Sequence, residues 1–329
     1  MSQYDVYAMG NALVDMEYRV EPADLEAMRI DKGVMTLVDV DHQSELMVYL
    51  SDHHVHRSAG GSAANTVIAL SQLGGSGFYS CKVADDELGH LYDGDLRTNG
   101  VATNARAYSE PGHTGRCLVL VTPDADRTMC TYLGITGGLS RSEVDEAALR
   151  AAEWLYIEGY LATSGSARDA VVHARGIAAD AGVRTALSLS DPNIVRHFCE
   201  GLQEMIGPGV DLLFANEAEA LDISASNRIE EAVEALARLA DRFVITRGAE
   251  GAIVYDRGET TRIEALSVRP VDTNGAGDMF AGAFLYGITR GWTAPEAARL
   301  AARAAARLIQ AYGPRLDAAT TRALLEAGR

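Results

Sequence analysis

Asp211-Leu212-Leu213-Phe214-Ala215, followed directly by Asn216-Glu217-Ala218-Glu219, reads as an apolar strand giving way to polar residues that open a helix. The chain repeats this alternation on both sides. Before it come strand Trp154–Glu158, helix Ala167–Ala181, strand Arg184–Leu189 and helix Ile194–Met205; after it come helix Ile229–Ala240 and strand Phe243–Thr246. Strands that alternate with helices form parallel sheets joined by crossovers, which makes the chain α/β. Helix Ser62–Leu73, strand Phe78–Val83 and helix Glu87–Arg97 extend the pattern toward the N-terminus. The last third runs into helices at Ala276–Ile288, Ala294–Ala311 and Ala318–Ala327, the middle one alanine-rich and of high helix propensity.

A second group of strands has few helices between its members: Asp5–Gly10, Leu13–Val20, Val34–Val38, Cys117–Thr122 and Thr128–Leu133. The last two flank Pro123-Asp124-Ala125-Asp126 and predict a hairpin. These strands are expected to form a small sheet apart from the main body. No internal repeat and no low-complexity tract interrupts the chain.

Composition removes several function classes. The 329 residues are 47% apolar and 23% charged, an ordinary globular balance. No segment approaches the roughly 20 apolar residues of a membrane span, and Met1-Ser2-Gln3-Tyr4-Asp5 lacks the basic and apolar regions of a signal peptide, so a soluble cytoplasmic protein is expected. Lys plus Arg is 29 against 46 Asp plus Glu, a net charge of −17, which makes the chain a poor candidate for binding a nucleic-acid phosphate backbone. The lysines are Lys32 and Lys82, and neither follows a G-x-x-x-x-G-K-[ST] loop. Phosphate chemistry in this chain must therefore use arginine, magnesium and backbone N–H groups. Cys81, Cys117, Cys130 and Cys199 contain no C-x-x-C pair, which argues for buried thiols over a zinc or redox site.

Asp272-Thr273-Asn274-Gly275-Ala276-Gly277-Asp278 is the sharpest motif. Glycines on either side of Ala276 free the backbone at a helix N-terminus, where N–H groups and the helix dipole hold an anion. Asp278 falls in the first turn beside that anion; a plain acidic residue after a Gly-rich turn would look the same. Gly60-Gly61-Ser62-Ala63-Ala64-Asn65 allows close backbone approach to a ligand, or equally a tight turn capped by Ser62. Asn11 and Asp15 follow the first strand. Asp15 has the chemistry to accept from two vicinal hydroxyls, and an exposed turn acid is the plainer alternative. Asn216 and Glu219 stand at the carboxyl end of a strand, where open parallel sheets bind ligands, and Thr246-Arg247-Gly248-Ala249-Glu250-Gly251 is a second loop of that kind.

Taken together these motifs resemble the ribokinase (PfkB-type) family of carbohydrate and nucleoside kinases over nearly the whole chain. Residues 272–278 fit the family's D-T-x-G-A-G-D signature, residues 60–74 its N-terminal signature, Asn216 and Glu219 its N-x-x-E motif, and Thr246, Gly248 and Gly251 its nucleotide loop. Gly10-Asn11-Ala12-Leu13-Val14-Asp15, Ile157-Glu158-Gly159-Tyr160 and Leu187-Ser188-Leu189-Ser190 look most like its adenosine-kinase branch. The resemblance implies a three-layer α/β/α sandwich, one domain over 1–329, with a small β-sheet lid inserted at about 13–40 and 105–134. It implies transfer of the ATP γ-phosphoryl group to a primary hydroxyl, adenosine being the expected acceptor and a free sugar or another nucleoside the alternative. It assigns the base to Asp278, the anion hole to Gly275, Ala276 and Gly277, and the lid arginine that meets the phosphates to Arg127. Asn11, Asp15, Gly60, Gly61 and Asn65 match the acceptor's hydroxyl contacts, and Tyr160 the aromatic that packs on the base. Asn216 and Glu219 match the pair that organises Mg²⁺ through water, and Asp272 with Ala311-Tyr312-Gly313-Pro314 a K⁺ site. A monomer, or a homodimer through the lid, is the expected assembly. Asp191-Pro192-Asn193 departs from the adenosine-kinase pattern and would serve a sugar kinase equally well. A NAD-dependent enzyme would need G-x-G-x-x-G after the first strand, which Gly10-Asn11-Ala12-Leu13 does not supply.

Overall fold

The strands of the computed structural model, which describes residues 2–33, 35–106, 110–124 and 126–326, sort into two sheets. In chain order they are β1 (Tyr4–Met9), β2 (Leu13–Arg19), β3 (Met35–Leu37), β4 (Val55–Gly60), β5 (Gly77–Ser80), β6 (Val101–Thr103), β7 (Gly115–Val121), β8 (Arg127–Tyr132), β9 (Ala152–Glu158), β10 (Arg184–Ser188), β11 (Val210–Asn216), β12 (Ala240–Thr246), β13 (Ala252–Asp256) and β14 (Glu259–Ile263). The larger sheet has nine strands in the order β14-β13-β12-β11-β10-β9-β1-β5-β6. It is parallel from β12 to β6, and the hairpin β13–β14 adds an antiparallel edge. The smaller sheet has five strands in the order β3-β8-β7-β2-β4.

Period-two alternation places the core on both faces of the large sheet. Val6, Ala8, Trp154, Tyr156, Leu212 and Phe214 point to one side, where they meet helices Ser62–Gln72, Ala276–Thr289 and Ala294–Leu308. Tyr7, Met9, Leu155, Ile157, Leu213 and Ile245 point to the other, against helix Gly165–Ala181 and its neighbours. Two helical layers around one sheet make the α/β/α sandwich that the sequence predicts.

The small sheet uses the same alternation for a different purpose. Val14, Met16, Tyr18, Leu118, Leu120 and Cys130 pack outward into a cluster with Leu25, Met28, Leu46 and Leu50. Those four belong to helices Pro22–Met28 and Val40–Tyr49 and to the turn after them, so the sheet's outer face is covered by its own chain. Leu13, Asp15, Cys117, Val119, Met129 and Thr131 alternate with that set and face the large sheet across a cavity.

The first strand, expected over Asp5–Gly10 in the small sheet, lies instead within the large one as β1, parallel to β9 and β5, because Val6, Tyr7, Ala8 and Met9 are buried on both faces. Several boundaries also differ from the sequence reading. The helix expected over Ile194–Met205 is two, Pro192–His197 and Cys199–Ile206, broken at Phe198 (φ −129°, ψ 29°), whose N–H closes the first on the Ile194 carbonyl. The helix expected to reach Ala240 stops at Leu236, because Ala240 pairs with Val210 as the first residue of β12. Helix Ala294–Leu308 ends short of Ala311. The two lid helices, β4, β6 and the β13–β14 hairpin were not expected at all. The β7–β8 hairpin forms as read, with Cys117 opposite Thr131. Val34, Ala125 and Ala327, which close or span expected elements, lie outside the described residues.

Candidate active site

The parallel strands β1, β9, β10, β11 and β12 all end at one cavity of about 660 Å³, roofed by the small sheet. Each strand end delivers a named group: Asn11 after β1, Glu158 and Tyr160 at β9, Ser188 and Ser190 at β10, Asn216 and Glu219 at β11, Thr246 at β12. The carboxyl edge of a parallel sheet is where such folds bind ligands, since the crossover helices begin there.

Asp278 sits in the first turn of helix Ala276–Thr289. Ser62 Oγ donates to its Oδ1 at 2.7 Å, and Asn65 Nδ2 to its Oδ2 at 3.0 Å. Burial raises its pKa above the usual carboxylate range, and these two hydrogen bonds pull it back down. Gly275 is the N-cap with φ 74°, and a Cβ there would fall 2.2 Å from the Pro314 carbonyl. Only glycine fits that left-handed, crowded position, which turns the N–H groups of the helix start toward the cavity. Ala276, Gly277, Thr273 and Asn274 line the same wall.

Asp15 faces this wall from β2. Its pKa is pushed up to about 7, first by burial and then by Asp278 and Glu17, against the pull of Arg315 and Arg127. Gly60, beside it on β4, leaves the room its side chain needs: a Cβ at Gly60 would meet the Asp15 carboxylate at 2.4 Å. Gly61 (φ 98°) touches the Asn11 carbonyl the same way, at 2.3 Å. The amide oxygen of Asn65 is buried without a hydrogen-bond partner.

Asn216 and Glu219 form a closed capping box. Asn216 N donates to Glu219 Oε2 at 2.9 Å, Asn216 Nδ2 donates to Oε1 at 2.6 Å, and Glu219 N donates back to Asn216 Oδ1 at 2.9 Å. Glu219 is buried, and burial pushes its carboxyl up to about 7. Both residues line the cavity, so one pair caps the helix and presents a carboxylate to the ligand space.

Five expected site residues do not line the cavity: Gly60, which makes room for Asp15, and four more. Gly248 and Gly251 shape the turn after β12 without lining the cavity. Arg127, at the start of β8, turns its guanidinium to Asp272, with Glu17 at 3.9 Å. Asp272 is buried and also accepts from Asn274 N at 2.9 Å and Gly313 N at 2.7 Å. In this arrangement Arg127 ties the roof to the loop that precedes the anion-binding turn, and the Asp272 carboxylate already holds an arginine and two backbone N–H groups. Among the described residues no three Asp, Glu, His or Cys side chains converge as a metal cage, and no helix is long and apolar enough to cross a membrane.

Two residues of the site were missed by the sequence reading. Ser62, read only as a cap, holds Asp278, and Glu158, read only as part of a resemblance, lies buried at the heart of the site. An acid closing an otherwise apolar strand, Trp154 to Ile157, was the available signal for Glu158.

The family model for pfkB family carbohydrate kinases matches residues 27–321. The crystal structure of adenosine kinase from Sinorhizobium meliloti superposes with a TM-score of 0.91 at 35% identity, over 99% of this chain and 100% of that one. A probable sugar kinase from Rhizobium etli CFN 42 gives the same TM-score of 0.91 at 34% identity, over 100% of this chain and 99% of the other. Adenosine kinase of Schizophyllum commune is 29% identical, over 95% of this chain and 97% of its own length. The chain belongs to the pfkB family of carbohydrate kinases and is a phosphotransferase acting on a hydroxyl group.

Proposed function

We propose that this kinase transfers the γ-phosphoryl group of ATP to the 5′-hydroxyl of adenosine. One observation carries the reading: Asp278 and Asp15 face a single cavity from opposite sides, under a roof whose inner surface is largely apolar. Met35, Leu37, Val119, Met129 and Leu133 supply a surface for a flat base, with Tyr160 on the cavity wall. Asp15 then accepts from the 2′- and 3′-hydroxyls, with Asn11, Gly61 and the free amide oxygen of Asn65 beside it.

In the reaction the 5′-oxygen forms its bond to the γ-phosphorus as the bond to the β,γ-bridging oxygen breaks, and ADP leaves. The hydroxyl proton passes to Asp278. A loose transition state delays that transfer, so a carboxylate does not need to be a strong base. Ser62 and Asn65 hold the carboxylate in line, and the N–H groups of Gly275, Ala276 and Gly277 receive the phosphoryl oxygens. Thr246, with Gly248 and Gly251 shaping its loop, borders the nucleotide. Glu219, next to Asn216, fits a magnesium ion carried by the nucleotide with water between them; when bound, the ion neutralises phosphate charge. Asp272 is better accounted for as the anchor of Arg127 than as a K⁺ ligand.

A free sugar is the second reading, favoured by the likeness to the Rhizobium etli protein and by polar Asn193 on the cavity wall. The test is kcat/KM with Mg·ATP for adenosine, 2′-deoxyadenosine, ribose and fructose. Adenosine should lead, and the 2′-deoxy analogue should be roughly 10²-fold poorer, the cost of an unpaired buried polar group. Asp15→Ala should erase most of that difference. A sugar outperforming adenosine overturns the reading.

A further inference from the structure

The carboxylate of Glu158 is 1% exposed and joins two segments that are distant in sequence. Its Oε1 accepts from Asn11 N at 2.6 Å, and its Oε2 accepts from Ala63 N at 2.9 Å. Among the described residues no cation pairs with it; the charge that bears on it is the like charge of Asp278. A buried carboxylate held by two backbone N–H groups and the Asn11 side chain, with no cation beside it, is costly, and isosteric apolar residues would fill the space at less cost. Its surroundings are fitted to it: a Cβ on Gly10 would strike Glu158 Oε2 at 2.4 Å and the Ala63 Cβ at 2.8 Å.

The two segments are the ones that carry the site. Asn11 leads through Ala12, Leu13 and Val14 to Asp15, the proposed reader of the acceptor hydroxyls. Ala63 stands between Ser62 and Asn65, whose side chains grip both oxygens of Asp278. Thr136 and Tyr79 also brace the Asn11 end, through Ala12 N at 3.0 Å and the Asn11 carbonyl at 3.0 Å, but neither of these side chains bonds to the Ala63 end.

We propose that Glu158 is the positioning residue of the acceptor site. By fixing the Asn11 turn and the first turn of helix Ser62–Gln72 to one carboxylate, it sets the separation between the group that reads the hydroxyls and the group that takes the proton. Its two oxygens must both accept, which glutamine cannot reproduce: one acceptor becomes an NH₂ facing an N–H. Aspartate keeps both acceptors on a shorter stem. The proposal rests on the kinase reading above.

The experiment compares Glu158→Gln and Glu158→Asp with wild type, using adenosine and 2′-deoxyadenosine with Mg·ATP, and normalises to the fraction folded by near-UV circular dichroism. Glu158→Gln should lower kcat/KM for adenosine by roughly 10²-fold, the scale of a misplacement near 1 Å. The KM for ATP should stay within about twofold, because the nucleotide end of the cavity does not rest on these bonds. The preference for adenosine over its 2′-deoxy analogue should shrink toward parity, since Asp15 no longer sits in register. Glu158→Asp should recover part of both losses. A folded Glu158→Gln protein with wild-type kcat/KM and preference overturns the proposal. So does a loss confined to the amount of folded protein, which would make Glu158 a simple strut. If Glu158→Gln does not fold, the same readouts on Glu158→Asp decide. Wild type that ignores adenosine would instead overturn the adenosine reading, and the kcat and KM split with the sugar it accepts would still test Glu158.

Discussion

The nine-stranded sheet brings strand ends to the cavity, while the five-stranded sheet brings alternate side chains from one face. At the strand ends the working groups are caps, helix N-termini and buried acids, fixed by parallel strands with core on both sides. On the roof they are residues of two-sided strands: Asp15 and Cys117 face in as Val14 and Leu118 face out. In the proposed reaction the groups that need fixed geometry belong to the first region, and the second adds Asp15 and an apolar surface to the acceptor contacts. The roof is expected to carry its contacts with it when it moves, so substrate enclosure and hydroxyl recognition would come as one event. An ion pair between Arg127 and Asp272 crosses from one region to the other.

The largest effect should come from the fixed region. Asp278→Asn keeps the shape and removes the proton acceptor, so kcat should fall by roughly 10²–10⁴-fold. Equilibrium titration should show acceptor affinity almost unchanged. Near-normal turnover would take Asp278 out of the mechanism and dissolve the division between the two regions.

The crossing pair should give an intermediate effect. Arg127→Ala leaves the buried Asp272 carboxylate with backbone N–H partners only, a loss on the order of 3 kcal/mol of stability. Turnover should slow about tenfold as closure becomes less complete, and acceptor binding measured without ATP should barely change. A double variant with Asp272→Asn should cost less than the sum of the two single changes. Additive losses would mean the pair does not couple roof to body.

The smallest effect concerns the roof alone. Asp15 has its pKa raised to about 7 in the folded chain, so folding favours its protonated form. Wild type therefore loses stability as pH climbs from the ordinary carboxyl range through about 7. Asp15→Asn carries no such charge, so its melting temperature, measured without ligand, should exceed that of wild type by a few degrees more at pH 8 than at pH 5. Glu158 and Glu219, each also raised to about 7, are common to both proteins and cancel in the comparison. An advantage that stays flat across this range would place Asp15 in water.

The fixed region was the more legible of the two in the sequence. Parallel strands with core on both faces stand out as apolar runs, and Asp272 to Asp278 announces its own turn chemistry. The roof was harder to read. Val55-His56-Arg57-Ser58-Ala59-Gly60 pairs with β2 but does not alternate apolar and polar residues, so β4 carried no periodic signal. Helices Pro22–Met28 and Val40–Tyr49 are short and bury two residues each, too few for a helical period to stand out. Arg127 was visible as a lone arginine after a turn, but its partner lies 145 residues away, and no local pattern reports a contact of that range. Glu158 stood out as an acid closing an apolar strand, but its contacts did not: the backbone N–H groups of Asn11 and Ala63 leave no trace in residue identity.

The helices that close over the outside of the small sheet have a consequence in mass action. A sheet whose outer face is buried against a second subunit gains stability with protein concentration and gives it up on dilution. Here Val14, Met16, Leu118 and Leu120 find their apolar partners in Leu25, Met28 and Leu46 of the same chain. That part of the roof's cohesion is first-order, the same at nanomolar as at millimolar protein.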